Sequence, residues 1–155
     1  MKITIRDMLL KEFEKSISMG KTHYIEGKAK ALNISLEKAK ELAQKEYETI
    51  LPQGMQTENH MFYTALVDDE FAGYAWVNIR EENDKKSAWG YDIHVDEAYR
   101  RKGVAKQIFI KLEAELKSIG VEEVKFHVYA DNFRAIPLYE QFGYETTNIV
   151  MRKEL

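Results

Sequence analysis

Between Trp89 and Tyr129 the apolar period of the chain changes twice, and this double change restricts the fold more than any other feature of the sequence. Trp89, Tyr91, Ile93 and Val95 alternate at period two, as a strand with two different faces requires. Val104, Ile108, Leu112, Leu116 and Ile119 then recur at three- and four-residue steps up to Gly120, which predicts an amphipathic helix with a glycine stop. From Val124 to Tyr129 strand composition returns. Strand, helix, strand in one run implies a parallel crossover, because parallel neighbours cannot be joined by a tight turn.

The segments around this crossover supply the rest of a sheet. Met61 to Val67 and Phe71 to Ile79, separated by Asp68-Asp69-Glu70, read as a hairpin, and the charged turn Glu81 to Lys86 leads into the strand at Trp89. Upstream, Lys2 to Arg6 alternates like a short strand, with Asp7 as the expected cap of a helix carrying Leu10, Phe13 and Ile17 and fading near Ala31. Ser35 is an N-cap for a second helix, in which Leu36, Ala39, Ala43, Tyr47 and Ile50 share a face. Phe133 to Phe142 predicts a short helix stopped by Gly143, and Thr146 to Lys153 a last strand. The expected class is α+β, a central mixed β-sheet of about six to seven strands flanked by about four helices. With 155 residues, 2 prolines, no linker and no repeat, residues 1–155 read as a single domain.

Composition removes whole classes of function. The 23 Lys and Arg face 26 Asp and Glu, a net charge of -3 that excludes the broad basic surface of a nucleic-acid binder. Cys is absent, which excludes a thiol nucleophile, a disulfide framework and a thiolate metal site. His23, His60, His94 and His127 share no ligand spacing, so no metal is expected. No apolar run is long enough for a membrane span, and the charged start Met1 to Asp7 lacks the core of an export signal, so the reading is cytoplasmic. Gly20-Lys21-Thr22 imitates the end of a phosphate loop, but Lys15 stands where its first Gly is required.

The densest chemical signal is Tyr99-Arg100-Arg101-Lys102-Gly103-Val104-Ala105, three cations and a glycine between a strand and a helix start. Unpaired N–H groups of a first helical turn attract anions, and Gly103 lets the backbone approach one closely. Three basic residues in a loop are also compatible with a plain solvated turn. The segment resembles the cofactor loop of the GNAT superfamily of N-acetyltransferases, whose motif is Arg or Gln, two residues, Gly, one residue, then Gly or Ala. Arg100, Gly103 and Ala105 fit it. A second stretch, Asn132, Ala135, Leu138-Tyr139-Glu140 and Phe142-Gly143-Tyr144, is similar to the pattern that follows the family's fifth strand.

The resemblance implies a GNAT-like fold and acetyl-CoA as co-substrate, with no metal. It places the pyrophosphate on the backbone of Arg101 to Ala105, flanked by Arg100 and Lys106, with Lys102, Gly103 and Val104 between. It places the pantetheine arm on main-chain groups of Ile93, His94 and Val95 and beside Asn132 and Ala135. Tyr139 matches the family's Tyr beside the sulfur of CoA. Many relatives carry Glu three residues before Ala130, and this chain has His127 there.

An imidazole of ordinary pKa about 6.5 can accept an amine's proton at neutral pH, but it lacks a carboxylate's attraction for a cation. Asp92 and His94 are the reserve candidates, and a buried structural histidine is the alternative role of His127. The implied activity is direct acetyl transfer to a primary amine of a small molecule or peptide. A non-catalytic acyl-CoA-binding sensor or interaction module is the rival reading, because His127 replaces Glu. The acceptor side falls on residues 16–56 and 144–148, where the sequence assigns no recognition chemistry, and homodimers are common among such proteins.

Overall fold

A computed structural model describes residues 1–155. The elements are β1 (Ile3–Asp7), α1 (Leu10–Leu32), α2 (Leu36–Ile50), β2 (His60–Val67), β3 (Glu70–Glu82), β4 (Lys85–Val95), α3 (Val104–Ser118), β5 (Glu123–Phe126) and α4 (Ala135–Gln141). The strands form one sheet in the order β1-β2-β3-β4-β5, antiparallel up to β4 and parallel between β4 and β5. The expected α+β architecture and its crossover through α3 are therefore present, with five strands.

Local chemistry explains the joints. Both hairpins turn on two residues with positive φ, Asp68 and Asp69 at 50° and 68°, and Asn83 and Asp84 at 50° and 64°. Two such residues give the mirror-image turn whose twist matches that of paired strands, and Asp and Asn tolerate the left-handed conformation best after Gly. Ser35 caps α2 as predicted, its Oγ accepting from the Lys38 N–H at 3.1 Å. The α3 helix packs on one face of the sheet, where Ala75, Val77 and Ala88 meet Leu112 and Leu116, and Val104 and Ile108 meet Ile3 and Val67. On the other face Phe62, Tyr74 and Trp76 pack with Phe13 and Ile17 of α1 and with Tyr47 and Ile50 of α2.

Four expectations are corrected. Asp7 ends β1 and does not cap α1; Leu9 is the N-cap, and its N–H donates to Glu12 Oε1 at 2.8 Å. The strict alternation from Trp89 to Val95 breaks at a β-bulge, because Trp76 pairs with Asp92 whereas Val77 pairs with Gly90, leaving Tyr91 as an extra residue. Tyr91 consequently packs with the α1 and α2 side, and Ile93 and Val95 with the α3 side. The last crossover strand ends at Phe126 instead of Tyr129. Thr146 to Lys153 forms no strand, since the outer edge of a four-residue β5 offers little to pair with. Arg152 Nη1 instead donates to the Ala31 carbonyl at 2.6 Å, and Ile149 and Val150 stay 76% and 96% exposed.

Glu12 ties three elements together. Its carboxylate accepts both Arg6 guanidinium nitrogens at 2.8 and 2.9 Å, the Leu9 N–H, and the hydroxyl of fully buried Thr64 at 3.0 Å. The Arg6 hydrogen bonds hold its pKa down to about 2. A depressed carboxylate pKa stabilises the fold at and above the ordinary carboxylate range, and that contribution fades as pH falls toward about 2. Glu12→Ala is expected to destabilise by about 2 kcal/mol and to lower Tm by about 4–8 °C, since it leaves the Thr64 hydroxyl without a partner. It should also flatten the acid limb of stability against pH. Urea unfolding at several pH values checks both; an unchanged midpoint at pH 7 would refute the assignment.

Candidate active site

The site begins where two strands part. β4 and β5 pair only from Ser87 with Glu123 to Gly90 with Phe126, so Tyr91 to Val95 have no neighbouring strand on that edge. Gly90 allows the junction: a Cβ there would lie 3.1 Å from Cδ1 of the Phe126 ring. Beyond Phe126 the chain leaves the sheet, and residues 127–129 turn along a cleft of about 710 Å³ bounded by α1, α2 and the exposed edge of β4. Its volume falls within the range of small-molecule sites.

The bulge at Tyr91 aims two successive side chains, Tyr91 and Asp92, at this cleft. Asp92 Oδ2 accepts the Tyr74 hydroxyl at 2.6 Å. Burial raises the Asp92 pKa above the usual carboxylate range, opposed by the Tyr74 hydrogen bond and by the neighbouring His94 and His23. Its carboxylate also lies against α1, where a Cβ on Gly20 would come within 2.3 Å of Oδ2. His94 stacks on Tyr74 with centroids 5.4 Å apart, and its Nε2 lies 2.9 Å from Asp96 Oδ1.

His127 and Tyr139 line the same cleft as Asp92. His127 is exposed, one residue past the end of β5, with its ring edge-on to Tyr129 at 4.7 Å. Tyr139, on α4, packs its ring 4.4 Å from Phe126 and 5.6 Å from Phe109. Burial raises its hydroxyl pKa, and the Asp92 charge adds to the rise. Asn132 also lines the cleft; its N–H donates to the Tyr129 carbonyl at 3.0 Å, and its own carbonyl accepts from buried Ala135 at 3.2 Å.

The basic loop lies past the end of β4, outside the cleft lining. Arg100 Nε donates to the Val95 carbonyl at 2.8 Å and so fastens the loop to the strand. Arg101 and Gly103 have φ of 60° and 75°, and the N-terminus of α3 has no side-chain cap. The first-turn N–H groups of Val104, Ala105 and Lys106 therefore point out of the helix end without an intrahelical acceptor. A Cβ at Gly103 would meet nothing within 4 Å, so the approach to these amides is open. Val104 is buried in the core, whereas Arg101, Lys102 and Lys106 are exposed around the opening. The side chains of Ile93 and Val95 belong to the α3-side core, so only their main chain faces the free edge of β4.

Sequence reasoning placed the acceptor side on residues 16–56 but singled out none of the α1 and α2 residues that wall the cleft, among them His23, Tyr24, Glu46 and Tyr47. One signal was present. Gly20 and Gly27 stand seven residues apart in a helix interior, each costing about 1 kcal/mol relative to Ala, and such spacing marks one face that something approaches closely. Asp92 meets the helix at the first, and the Tyr129 ring lies 2.8 Å from a Cβ built at the second.

Residues 29–144 match the model of the acetyltransferase (GNAT) family. The chain is 33% identical over 156 residues, 100% of both chains, to the uncharacterised N-acetyltransferase YycN of Bacillus subtilis, and 31% identical to YdgE of the same organism over 100% of this chain and 99% of that one. The crystal structure of YycN superposes with a TM-score of 0.92 over 99% of each chain at 33% identity. AAC(6')-Iy, solved with a bisubstrate analogue of CoA and acetylneamine, shares the fold at a TM-score of 0.65 and 19% identity over 100% of this chain and 99% of its own. The chain belongs to the GNAT family and is an acetyl-CoA-dependent N-acetyltransferase.

Proposed function

We propose that residues 1–155 act as one domain that directs an acetyl group onto a primary amine held in the cleft between α1, α2 and the free edge of β4. The observation that carries this reading is that Asp92 on β4, His127 just past β5 and Tyr139 on α4 line one cleft. Acetyl-CoA supplies the acetyl group in activated form as a thioester. The uncapped amides of Val104 to Lys106 fit its pyrophosphate, with Arg101 and Lys102 adding screened attraction. The main chain of Ile93 to Val95 and the Asn132 side chain fit its arm, which an unpaired strand edge can bind as another strand would.

An alkylamine with a pKa of about 10.4 arrives as its ammonium, so the site must attract a cation and then remove a proton. Asp92 attracts it at the inner wall. His127 takes the proton on an imidazole nitrogen and, being exposed, passes it to water. The Tyr139 hydroxyl keeps its proton, because burial raises its pKa, and can donate a hydrogen bond to the departing sulfur. Full proton transfer from a phenol to a thiolate is uphill by about 2 kcal/mol on ordinary pKa values, so the hydrogen bond is the easier role.

Free-thiol release against a panel of amines tests the assignment. His127→Gln should lower kcat by about 100-fold or more, and Asp92→Asn should raise KM more than it lowers kcat. A carboxyl whose pKa is raised on folding stabilises fully at low pH and loses that contribution as pH rises through its folded pKa. Asp92→Asn is locked in the uncharged form, so it should keep at least the wild-type Tm at pH 7 while binding amine poorly. If His127→Gln keeps full kcat and Asp92→Asn loses it, Asp92 is the base.

Gly20→Ala should gain little of the usual ~1 kcal/mol in helix propensity and should raise the amine KM, because its methyl group displaces the Asp92 carboxylate. Gly103→Asp should abolish the thermal shift that CoA gives, and Lys102→Ala should leave most of it, since the first blocks the amide cradle and the second removes only a screened charge. Equal losses in the two variants would mean that charge and not backbone shape holds the pyrophosphate.

A further inference from the structure

Resting on that reading of the cleft, we propose that the acceptor is an amine with a single positive charge and an aromatic or flat apolar body, and not a polyamine. The cleft wall is a run of rings. Tyr129 lies 6.3 Å from Tyr24, Tyr24 lies 5.9 Å from Tyr47, Tyr47 lies 5.7 Å from Trp76, and Trp76 stacks on Tyr91 at 4.6 Å. All five line the cleft, and the run ends at Asp92, which shares the β4 bulge with Tyr91. A ligand lying along this wall has its apolar body against the half-buried rings of Tyr24, Tyr47, Tyr91 and Tyr129, behind which Trp76 is buried, and its ammonium beside the Asp92 carboxylate. Rings of this kind already take cations here: Lys21 Nζ sits 5.0 Å from the Tyr47 centroid, and the Arg80 guanidinium 5.9 Å from that of Tyr91, neither residue being part of the lining.

Charge counting leaves one enclosed carboxylate for the ligand's cation. Glu46 is neutralised by Lys28 at 2.6 Å and also accepts the Tyr24 hydroxyl, and Asp131 faces Lys30 at 3.6 Å. Among the acids of the lining, only Asp92 and the exposed Glu26 lack a basic partner. A polyamine needs several uncompensated carboxylates along its length.

The test compares 2-phenylethylamine, spermidine and glucosamine as acceptors, together with quenching of the cleft tryptophans by N,N-dimethyl-2-phenylethylamine and by N,N-dimethylbutylamine in the presence of CoA. The expected result is a kcat/KM for phenylethylamine about tenfold or more above the other two, and tighter binding of the aromatic dimethylamine. Tyr129→Leu, at the outer end of the wall, should raise the KM for phenylethylamine about fivefold while shifting that for spermidine less than twofold. Preference for spermidine or glucosamine overturns the inference and leaves the transferase reading intact. If no amine is acetylated, that reading fails, and the two dimethylamines still decide the inference: equal affinities refute it.

Discussion

The loss of pairing between β4 and β5 after Gly90 and Phe126 is the constraint on which the site depends. Had β5 continued to Tyr129 beside β4, backbone hydrogen bonds would have consumed the edge from Tyr91 to Val95, and no cleft would separate α1 from the sheet. Two local features prevent it. The Phe126 ring settles over Gly90, where a Cβ would lie a tight 3.1 Å from it, and the bulge at Tyr91 bends β4 away just after that contact. The bend is held from behind, because Ile93 and Val95 are committed to the core under α3. Slippage by one residue would expose them and bury Asp92 and His94 in their place.

On the opposite wall, α1 must lie close to the sheet without filling the cleft. Its start is fixed by Glu12, which binds Arg6 on β1 and Thr64 on β2. About one turn after Ser16, which is buried, Gly20 lets the helix touch the Asp92 carboxylate, and Gly27 lets it touch Tyr129. The helix thus comes closest to the sheet side where it has no side chain, and Tyr24, between the two glycines on the same face, lines the cleft. A buried carboxylate against a helix is unfavourable for folding, and burial raises the Asp92 pKa although His23 and His94 oppose the rise. Sites that bind a cationic substrate commonly hold such strain, since the substrate relieves it.

Legibility in the sequence divides along the same line. The crossover from β4 through α3 to β5, the hairpins and the loop from Arg100 to Ala105 could be read because each rests on local rules: apolar period, turn residues, and the amides of a helix start. The Ser35 cap was legible for the same reason. What escaped was set by contacts distant in sequence. The bulge leaves no mark in an alternating pattern, because Trp89, Tyr91, Ile93 and Val95 are apolar on either face. The missing strand after Thr146 depends on how much edge β5 offers, which the segment itself cannot encode. Asp7 resembled a cap, but Glu12 reaches back to the Leu9 N–H and ends that competition. The cleft wall on α1 and α2 was hidden because Tyr24, Tyr47 and Trp76 have the composition of a core, and only the paired glycines hinted that one helix face was under external restraint.

The two halves of the site are consequently built from different materials. The loop beyond β4 presents backbone: a first turn without a cap, residues at positive φ, and a strand edge without a partner. Such groups are the same whatever side chains surround them, so this half can remain fixed while surface residues change. The acceptor half is made of side chains from α1, α2, β3 and the segment after β5, and every ring in it can be exchanged without touching the amides at α3. On the proposed reading, specificity for the acceptor can therefore drift while the means of binding the acetyl donor stays constant. Asp92 is the residue that bridges the halves, standing on the strand whose main chain faces one and whose side chains line the other. On the proposed reading, a change of its side chain alters the charge that draws in the amine and leaves the free edge of β4 to the bulge and to the Gly90–Phe126 contact.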